Sequence, residues 1–330
     1  MVKSMTQQGF LQDLEAFLEE WHNDSPMLEV HTSGSTGTPK ALQVEKERMK
    51  ASARLTCSFL GLQEGDTALL CMPLQYIAGK MVVVRSLVAS LKLIPIAPCG
   101  HPLAGLKEAP TFAAMIPMQV YNSLQVPEEK ALLKEIKQLI IGGGAIDEQL
   151  GKELKDFPNA IWSTYGMTET LSHIALRRLN GENASEWYTP FDTVNIRLSH
   201  EGTLIIQAPQ VCESELTTND IAEMNPIGQF RILGRKDNII NSGGVKIQIE
   251  QVEALLRPHL NTPFQITSAP HTKFGEEVVL LYEKGETEGI RTVCERILPT
   301  YWIPKRYIHV SSVPLTETGK PDRATARRMV

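Results

Sequence analysis

The stretch Phe112-Ala113-Ala114-Met115-Ile116 is a run of apolar residues without a charged side chain. A short apolar run that does not alternate with polar residues is typical of a strand buried on both faces. Similar runs occupy residues 68–72, 93–96 and 138–141, and stretches with helical spacing separate them. Strands that alternate with helices in this way predict a layered α/β core.

The regions on either side of these runs suggest a coarse domain plan. Apolar residues at three- and four-residue spacing predict an amphipathic helix over 8–22, followed by a strand over 28–31 and a helix over 45–60. From 192 to 233 the pattern changes to alternating strands, which indicates a small β-rich subdomain at about 190–234. Residues 235–330 have strand and helix patterns of their own, and predict a small α+β domain separate from residues 1–234.

The charge of the chain excludes some classes of partner. Its 330 residues include 33 Lys and Arg against 38 Asp and Glu, which gives a net charge of −5 and a pI near 6.0. Without an excess of positive charge, no binding to nucleic acid is predicted. The most apolar stretch, residues 81–97, contains Arg85 and Lys92 and is shorter than the roughly 20 residues of a membrane-spanning helix, so no membrane insertion is predicted.

The cysteines and the first residues bear on the compartment. The cysteines are scattered, without a Cys-x-x-Cys pair, and argue against a zinc site or a disulfide scaffold. They are Cys57, Cys71, Cys99, Cys212 and Cys294. The N-terminal residues lack the uninterrupted apolar core of a secretory signal. The cytoplasm is therefore the predicted location.

A first candidate functional motif is Thr-Ser-Gly-Ser-Thr-Gly-Thr-Pro-Lys at residues 32–40. Glycines allow backbone N–H groups to approach an anion, hydroxyl groups donate further hydrogen bonds, and the lysine adds a positive charge. The combination suits a triphosphate, although it does not fit the Walker pattern. Taken alone, it is at least as consistent with an ordinary flexible loop.

A second motif, Ser-Thr-Tyr-Gly-Met-Thr-Glu at residues 163–169, combines an aromatic ring, a glycine, a hydroxyl group and a carboxylate. The aromatic ring can stack on a base, and the carboxylate can hold the Mg²⁺ ion that accompanies a nucleotide. Taken alone, this motif favours a simple turn after a core strand.

Three further motifs follow in order. They are Thr-Thr-Asn-Asp at 217–220, Gly-Arg-Lys-Asp-Asn at 234–238 with Asn-Ser-Gly-Gly-Val-Lys-Ile at 241–247, and Thr-Gly-Lys-Pro-Asp-Arg at 318–323. In kind and order the motifs resemble those of the adenylate-forming superfamily of acyl-CoA synthetases, nonribosomal-peptide adenylation domains and luciferases. The resemblance implies that family's fold: a large layered α/β N-terminal domain that binds ATP and the acyl group, here N-terminally shortened, and a small mobile C-terminal domain that carries the catalytic lysine.

The resemblance also implies how ATP is bound. Residues 33–40, the phosphate loop, would hold the β- and γ-phosphates. The residues concerned are Ser33, Gly34, Ser35, Thr36, Gly37, Thr38 and Lys40. Tyr165, followed by Gly166, would stack on adenine. Asp220 and Arg235 would hold the ribose hydroxyl groups.

The catalytic roles are implied in the same way. Thr168 would contact the α-phosphate, Glu169 would bind Mg²⁺, and Lys320 would bridge the attacking carboxylate and the α-phosphate. Asp237 matches the hinge about which the family's C-terminal domain rotates, and Gly243 with Gly244 is assigned to the hinge or the CoA site. The reaction implied converts a carboxylic acid and ATP into an acyl-AMP and pyrophosphate, after which the thiol of CoA attacks the acyl group. It requires no protein nucleophile.

Within the superfamily the chain resembles the o-succinylbenzoate-CoA ligases of menaquinone biosynthesis. The resemblance is carried by residues 72–79 with Arg85 six residues beyond Gly79, by 116–120 with 141–146, and by 241–245. It implies that the acyl substrate meets Tyr76, Arg85, Gly143, Gly144, Ser172 and His173. o-Succinylbenzoate has two carboxylates, and Arg85 is the candidate clamp for the one that does not react, because a guanidinium can bind a carboxylate bidentately. The alternative is that Arg85 pairs with a surface acid.

Two features depart from the family pattern. Family members usually have well over a hundred residues before the phosphate loop, which begins here at Ser33, so part of the scaffold is predicted to be absent or supplied by a second subunit in a homo-oligomer. Tyr76 stands where many relatives have a histidine that lines the acyl pocket. Two other functions stay open: a CoA ligase for another aryl or acyl acid, and a non-catalytic protein that binds a nucleotide or an acyl ligand.

Overall fold

The computed structural model describes residues 6–31, 41–144, 146, 148–316 and 320–330. The helices are Gln7–His22 (α1), Lys46–Leu60 (α2), Ile77–Val88 (α3), Pro117–Leu124 (α4), Pro127–Glu135 (α5), Glu148–Leu154 (α6), Ile249–Leu256 (α7), Thr287–Ile297 (α8) and Arg323–Arg328 (α9). The strands up to the end of the central sheet are Met27–His31 (β1), Ala41–Glu45 (β2), Thr67–Leu70 (β3), Lys92–Pro95 (β4), Phe112–Met115 (β5), Gln138–Ile141 (β6), Ala160–Gly166 (β7), His173–Arg178 (β8) and Thr189–Pro190 (β9). The later strands are Asn195–Leu198 (β10), Thr203–Gln207 (β11), Leu216–Met224 (β12), Phe230–Arg235 (β13), Ile239–Ser242 (β14), Val245–Gln248 (β15), Phe264–His271 (β16), Gly275–Tyr282 (β17) and Arg306–His309 (β18).

The N-terminal helix and the strand after it form as their sequences predict. The apolar stripe of α1 is buried in the core, and the hydroxyl of Thr6 caps the helix by accepting a hydrogen bond of 3.1 Å from the N–H of Gly9. The chain then enters β1, whose Leu28 and Val30 join the same core. The predicted helix over 45–60 is α2, which ends at Gly61 in a left-handed conformation.

The centre of the fold is a seven-stranded sheet in the order β4-β3-β5-β6-β7-β8-β9. Neighbouring strands from β4 to β7 are parallel, and β8 and β9 continue the sheet antiparallel. Successive side chains of one strand enter two different cores: Ala114 packs with the core that contains α1, and Ala113 packs with the core that contains α5. Both faces are thus covered, which is why these strands do not alternate in sequence. The predicted layered α/β core is confirmed.

Two smaller sheets follow the central one. Strands β10 to β13 form an antiparallel sheet in chain order, as predicted for the β-rich segment. Strand β13 ends at Arg235, and a short 3₁₀ helix, Lys236–Asn238, leads into a sheet in the order β15-β14-β17-β16 with β18 beside β17. Helices α7 and α8 contribute to its apolar core. A domain boundary at residue 234 remains a prediction.

The most apolar stretch of the sequence lies inside the α/β core. Residues 81–97 are divided between α3 and β4. Among the described residues, no helix combines the length and the apolar character that crossing a membrane requires. The predicted location in the cytoplasm stays a prediction.

Candidate active site

The parallel strands bring the sequence motifs to one edge of the central sheet. Because β3, β5, β6 and β7 run in the same direction, the segments that follow their carboxyl ends lie at the same edge. These segments contain residues 71–76, 116, 142–144 and 167–172 respectively. Crevices at the carboxyl ends of parallel strands are the usual ligand sites of open α/β sheets.

The segment between β7 and β8 makes a sharp reversal. A side chain at Gly166 would collide with the backbone of Ser172 and His173, so only glycine allows the two strands to approach so closely here. Thr168–Thr170 form a 3₁₀ turn, and buried Leu171 then takes a φ of +64°, a conformation that costs a non-glycine residue of the order of 1–3 kcal/mol. The surrounding packing holds the segment in this form, which places Thr168 and Glu169 at the edge of the sheet.

The nucleotide residues Tyr165, Asp220 and Arg235 lie in direct contact. The hydroxyl of Tyr165 donates a hydrogen bond of 2.6 Å to Oδ2 of Asp220, and Nη1 of Arg235 donates one of 3.1 Å to Oδ1. Asp220 and Arg235 are cross-strand partners on β12 and β13. Each oxygen of Asp220 keeps further acceptor capacity, since an ionised carboxylate has about four lone-pair sites. The carboxylate is therefore held in one orientation, and its contact with a ribose stays a prediction.

The ring of Tyr165 packs against two other aromatic rings. It packs edge-on against Phe230, with ring centroids 5.1 Å apart, and lies 5.9 Å from the ring of Tyr188. Burial and the negative charge of Asp220 raise the pKa of Tyr165 far above its usual value, so the hydroxyl stays a proton donor.

Lys320 belongs to the same cluster, although it lies 85 residues beyond Arg235 in the chain. The N–H of Thr316 donates a hydrogen bond of 2.7 Å to the carbonyl of Lys320. The pKa of Lys320 is lowered, first by burial and then by the positive charge of Arg235, while Asp220 acts in the opposite direction. A lysine desolvated beside a second cation is suited to receive an anionic ligand.

A second set of contacts surrounds Asp237, the predicted hinge. Arg235 donates to Oδ2 of Asp237 at 2.9 Å, and the side-chain amide of Asn219 donates to both oxygens at 3.2 and 3.1 Å. The neighbouring Lys236 pairs with Glu201 at 2.8 Å. Asp237 is exposed. A rotation about this residue would break these contacts with the β-rich sheet, and its role as a hinge stays a prediction.

Arg85 is buried rather than at the surface. It lies on α3 with 2% of its area exposed, and Nη2 donates a hydrogen bond of 2.5 Å to the hydroxyl of Ser172. Its Nε is buried without a hydrogen-bond partner, and none of the ion pairs among the described residues includes Arg85. Burial lowers the pKa of Arg85 to about 10, so the guanidinium is still charged at neutral pH. A buried charge without a counter-ion favours an anionic ligand.

His173 lies next to Ser172 at the start of β8 with 6% of its area exposed. Its Nε2 is 3.0 Å from the hydroxyl of Thr56, and its Nδ1 is 3.3 Å from that of Ser172. Burial and the nearby charge of Arg85 lower the pKa of His173 well below its usual value, so the ring is neutral. Both ring nitrogens are thus engaged within the protein, and the predicted contact with substrate stays a prediction.

The remaining acyl-site residues lie on the same edge of the sheet. Tyr76 is half-buried at the beginning of α3, and its backbone forms a bridge with that of His31, the last described residue before the phosphate loop. Gly143 and Gly144 are exposed after β6, and Gly143 has a φ of +78° beside Ile116. Their contacts with substrate remain predictions.

The predicted phosphate-loop residues lie outside the described part of the chain. They are Ser33, Gly34, Ser35, Thr36, Gly37, Thr38 and Lys40. The strands on either side, β1 and β2, pair antiparallel up to His31 and Ala41. His31 and Ala41 are therefore adjacent, and His31 also forms a bridge with Tyr76.

Glu169 fits the predicted role of holding Mg²⁺. Its carboxylate is exposed on the 3₁₀ turn beside half-buried Thr168. Mg²⁺ in nucleotide sites is usually held by one or two carboxylates, with phosphates and water completing the octahedron. A single accessible carboxylate agrees with that pattern, whereas the described residues contain no cluster of three or more His, Cys, Asp or Glu side chains.

Gly243 and Gly244 form the turn between β14 and β15. Their φ values are +58° and +84°, as a two-residue hairpin turn requires. A side chain at Gly243 would contact Phe274, which precedes β17. A role in CoA binding or in the hinge stays a prediction.

A family model described as AMP-binding enzyme matches residues 4–207. The chain belongs to this family. A solved structure from Dyadobacter fermentans, described as an acyl-CoA synthetase (AMP-forming)/AMP-acid ligase II-like protein, is 31% identical with a TM-score of 0.67, and the match covers 98% of this chain and 95% of that one. The adenylate-forming fold is thereby confirmed.

Other relatives are more distant. The 2-succinylbenzoate-CoA ligase of Bacillus cereus strain Q1 is 23% identical over 96% of this chain and 73% of its own length. The o-succinylbenzoate coenzyme A synthetase of Bacillus subtilis, solved in complex with ATP and a magnesium ion, is 21% identical with a TM-score of 0.75 and covers 90% of this chain and 68% of that one. The likeness to the solved synthetase shows the shared fold. The oligomer remains a prediction.

The structure also shows contributors to which the sequence analysis gave no role. Phe230 and Tyr188 flank Tyr165, Asn219 holds Asp237, and Thr56 holds His173. Asn219 could have been noticed as the residue before Asp220. The others come from distant segments without a sequence motif.

Proposed function

We propose that this protein is an ATP-dependent acid-thiol ligase that converts o-succinylbenzoate into o-succinylbenzoyl-CoA, as in menaquinone biosynthesis. In the first half-reaction a carboxylate oxygen of the acid attacks the α-phosphorus of ATP, and the bond to pyrophosphate breaks. In the second, the sulfur of CoA attacks the acyl carbon, AMP leaves, and the thiol proton passes to solvent. The family supports the class of chemistry, and the choice of acid depends on Arg85.

The observation that supports a dicarboxylic substrate is the unpaired guanidinium of Arg85. A buried charge is costly unless it is paired. Arg85 has one hydroxyl partner, Ser172, and its Nε has none among the described residues. A second carboxylate on the substrate would supply the missing acceptor and counter-charge. A monocarboxylic acid would leave the guanidinium unpaired.

The position of Arg85 relates this clamp to the reacting centre. Its partner Ser172 lies on the segment that carries Thr168 and Glu169, so the acyl subsite and the phosphate subsite share one short piece of backbone. With one carboxylate held at Arg85, the other would extend toward the α-phosphate. Holding both reactants in this way makes the reaction effectively unimolecular.

The nucleotide residues would act before and during the attack. Asp220, oriented by Tyr165 and Arg235, would accept hydrogen bonds from the ribose hydroxyls. Lys320 would donate to the attacking carboxylate and the α-phosphate, and so stabilise the charge that develops there. Mg²⁺ at Glu169 would neutralise phosphate charge and assist the departure of pyrophosphate.

The experiment compares three acids as substrates for ATP-dependent pyrophosphate release, with and without CoA, and identifies any thioester by mass spectrometry. The acids are o-succinylbenzoate, 4-oxo-4-phenylbutanoate, which lacks the ring carboxylate, and 2-butanoylbenzoate, which lacks the side-chain carboxylate. We expect the diacid to exceed both monoacids in kcat/KM by about 10² to 10³-fold, the effect of removing one partner of a buried charge pair.

Arg85→Met should reduce kcat/KM for the diacid to about the level of the better monoacid, while that monoacid itself is little affected. Arg54→Met on α2, where the arginine is exposed, is the matched control and should behave like the wild type. Selective turnover of an unrelated monocarboxylic acid would retain the ligase chemistry and reject this substrate. No turnover of any acid in a wider panel, with ATP still bound, would favour a non-catalytic binding protein.

A further inference from the structure

Polar side chains from three separate segments form one chain of hydrogen bonds that ends at Arg85. Thr56 comes from α2, Arg85 from α3, and Ser172 with His173 from the turn into β8. Thr56 is fully buried, and the ring of His173 also lies 5.7 Å from that of Phe191. A buried polar line of this kind specifies one arrangement only if each of its protons has an acceptor.

The direction of the hydrogen bonds follows from counting protons. The hydroxyl of Thr56 has a single proton, and the carbonyl of Ser52, which can only accept, lies 3.2 Å away. Thr56 therefore donates to Ser52 and accepts from Nε2 of His173 at 3.0 Å. The neutral ring then has an unprotonated Nδ1, which accepts the proton of Ser172.

If the hydrogen bonds ran in the opposite direction, fewer of these polar groups would have a hydrogen-bond partner. If Nδ1 of His173 carried the proton, Ser172 would have to accept from both His173 and Arg85. Its own proton would then lack a hydrogen-bond acceptor among the described residues, and Thr56 would turn away from Ser52. Because Ser172 is half-buried, this loss costs at most about 1–3 kcal/mol, the cost for a fully buried polar group without a partner. The first direction is therefore the stable one.

We propose that Thr56 and His173 are positioning residues that orient the hydroxyl of Ser172 as an acceptor toward Arg85, and so prepare the guanidinium for the second carboxylate of the substrate. The proposal rests on the proposed function for the identity of that carboxylate. One N–H of Arg85 is thereby anchored at 2.5 Å, while Nε is buried and has no hydrogen-bond partner among the described residues. Neither Thr56 nor His173 needs to touch the substrate.

The test uses Thr56→Val, which keeps the shape of the side chain and removes the hydroxyl. For the diacid we expect kcat/KM to fall about tenfold or more, the usual effect of losing a group that orients a binding residue. For the better monoacid, which does not use the clamp, we expect a change below about twofold. Thr56→Ser should restore the diacid rate. A merely structural role would lower both rates together.

Thr193→Val is the matched control. The hydroxyl of Thr193 is also buried but makes no hydrogen bond. Its removal should leave both substrates unaffected. Equal losses for the two acids in Thr56→Val, or no loss for either, would overturn the positioning role.

A second measurement does not depend on turnover. The ¹⁵N resonances of the His173 ring, assigned by their absence in His173→Gln, should report a neutral ring protonated at Nε2 in the wild type and a change of tautomer in Thr56→Val. A ring protonated at Nδ1 would overturn the hydrogen-bond line even if the diacid is a good substrate. A wild type with the expected tautomer that turns over neither acid would instead overturn the proposed function, and with it the role assigned to the second carboxylate.

Discussion

Tyr165 donates its hydroxyl proton to Oδ2 of Asp220 over 2.6 Å, across 55 residues of sequence. The bond joins β7 of the central sheet to β12 of the β-rich sheet. Since Arg235 occupies the other oxygen, the carboxylate is restrained from both sides. Two motifs that are weak signals when taken separately thus form one cluster, and the charges of Arg235 and Asp220 also act on Lys320.

Asp220→Asn should weaken the binding of ATP. The amide keeps an acceptor oxygen but loses the charge that strengthens each of its hydrogen bonds, and bonds to charged groups contribute about 1.5–3 kcal/mol. We therefore expect KM for ATP to rise about 10- to 100-fold, with a smaller change in KM for the acid. Steady-state pyrophosphate release at varied ATP measures this. Asp192→Asn, at an exposed carboxylate, is the control. An unchanged KM for ATP would remove Asp220 from the nucleotide site.

Lys320→Ala should disable the first half-reaction. Without the ammonium group, charge on the attacking carboxylate and the α-phosphate is not stabilised, and we expect acyl-AMP formation to fall by at least about 10²-fold. Binding of ATP, measured by calorimetry, should be largely retained. Lys305→Ala, at an exposed lysine beyond α8, should leave the rate unaffected. Normal pyrophosphate release by Lys320→Ala would exclude this lysine from the mechanism.

The alkaline limit of activity should come from the same lysine. Burial and Arg235 lower the pKa of Lys320, so the charged form in the free enzyme is lost at a lower pH than for a lysine in water. As pH rises through that value, kcat/KM for the first half-reaction should decline, because kcat/KM reports groups of the free enzyme. Lys320→Arg, which stays charged, should lose this decline. If the wild type and Lys320→Arg show the same decline at alkaline pH, the decline belongs to another group.

The fold is largely readable from local patterns, because burial on both faces of the parallel strands leaves unbroken apolar runs such as 112–116. The carboxyl ends of those strands meet at one edge, which is why the motifs that follow them lie together in the structure. The hydrogen bond between Thr56 and His173 could not be anticipated in this way. It joins residues 117 apart, and no sequence spacing records the packing of α2 on β8.

The burial of Arg85 could not be predicted from the sequence either. A pairing with a surface acid was the open alternative, since an arginine on an apolar helix can extend to solvent. Its side chain instead points into the core beside Ser172. What decided this was the long-range packing of α3 on α2 and the hydrogen bond from Arg85 to Ser172, and the composition of α3 does not contain that information.

Arg85 should lower the stability of the protein without ligand. A buried charge that lacks a carboxylate partner carries a desolvation cost that its hydrogen bond to Ser172 only partly offsets. In Arg85→Met the new side chain is similar in length to that of arginine and has no charge. Ser172 still donates its hydrogen bond to His173 in this variant. We expect the variant to be stabilised by about 1 kcal/mol or more, which corresponds to a rise in Tm of about 2–4 °C.

Thermal unfolding with and without o-succinylbenzoate distinguishes the effect of the Arg85 charge on stability from the effect of its packing. Ligand should raise the Tm of the wild type, because it binds the folded state alone, and should raise that of Arg85→Met far less, since the variant has no cation for the second carboxylate. Arg54→Met, at an exposed position of α2, should match the wild type in both conditions. A Tm of Arg85→Met below that of the wild type would mean that the guanidinium stabilises the core by its own contacts, and that its burial needs no substrate carboxylate to explain it.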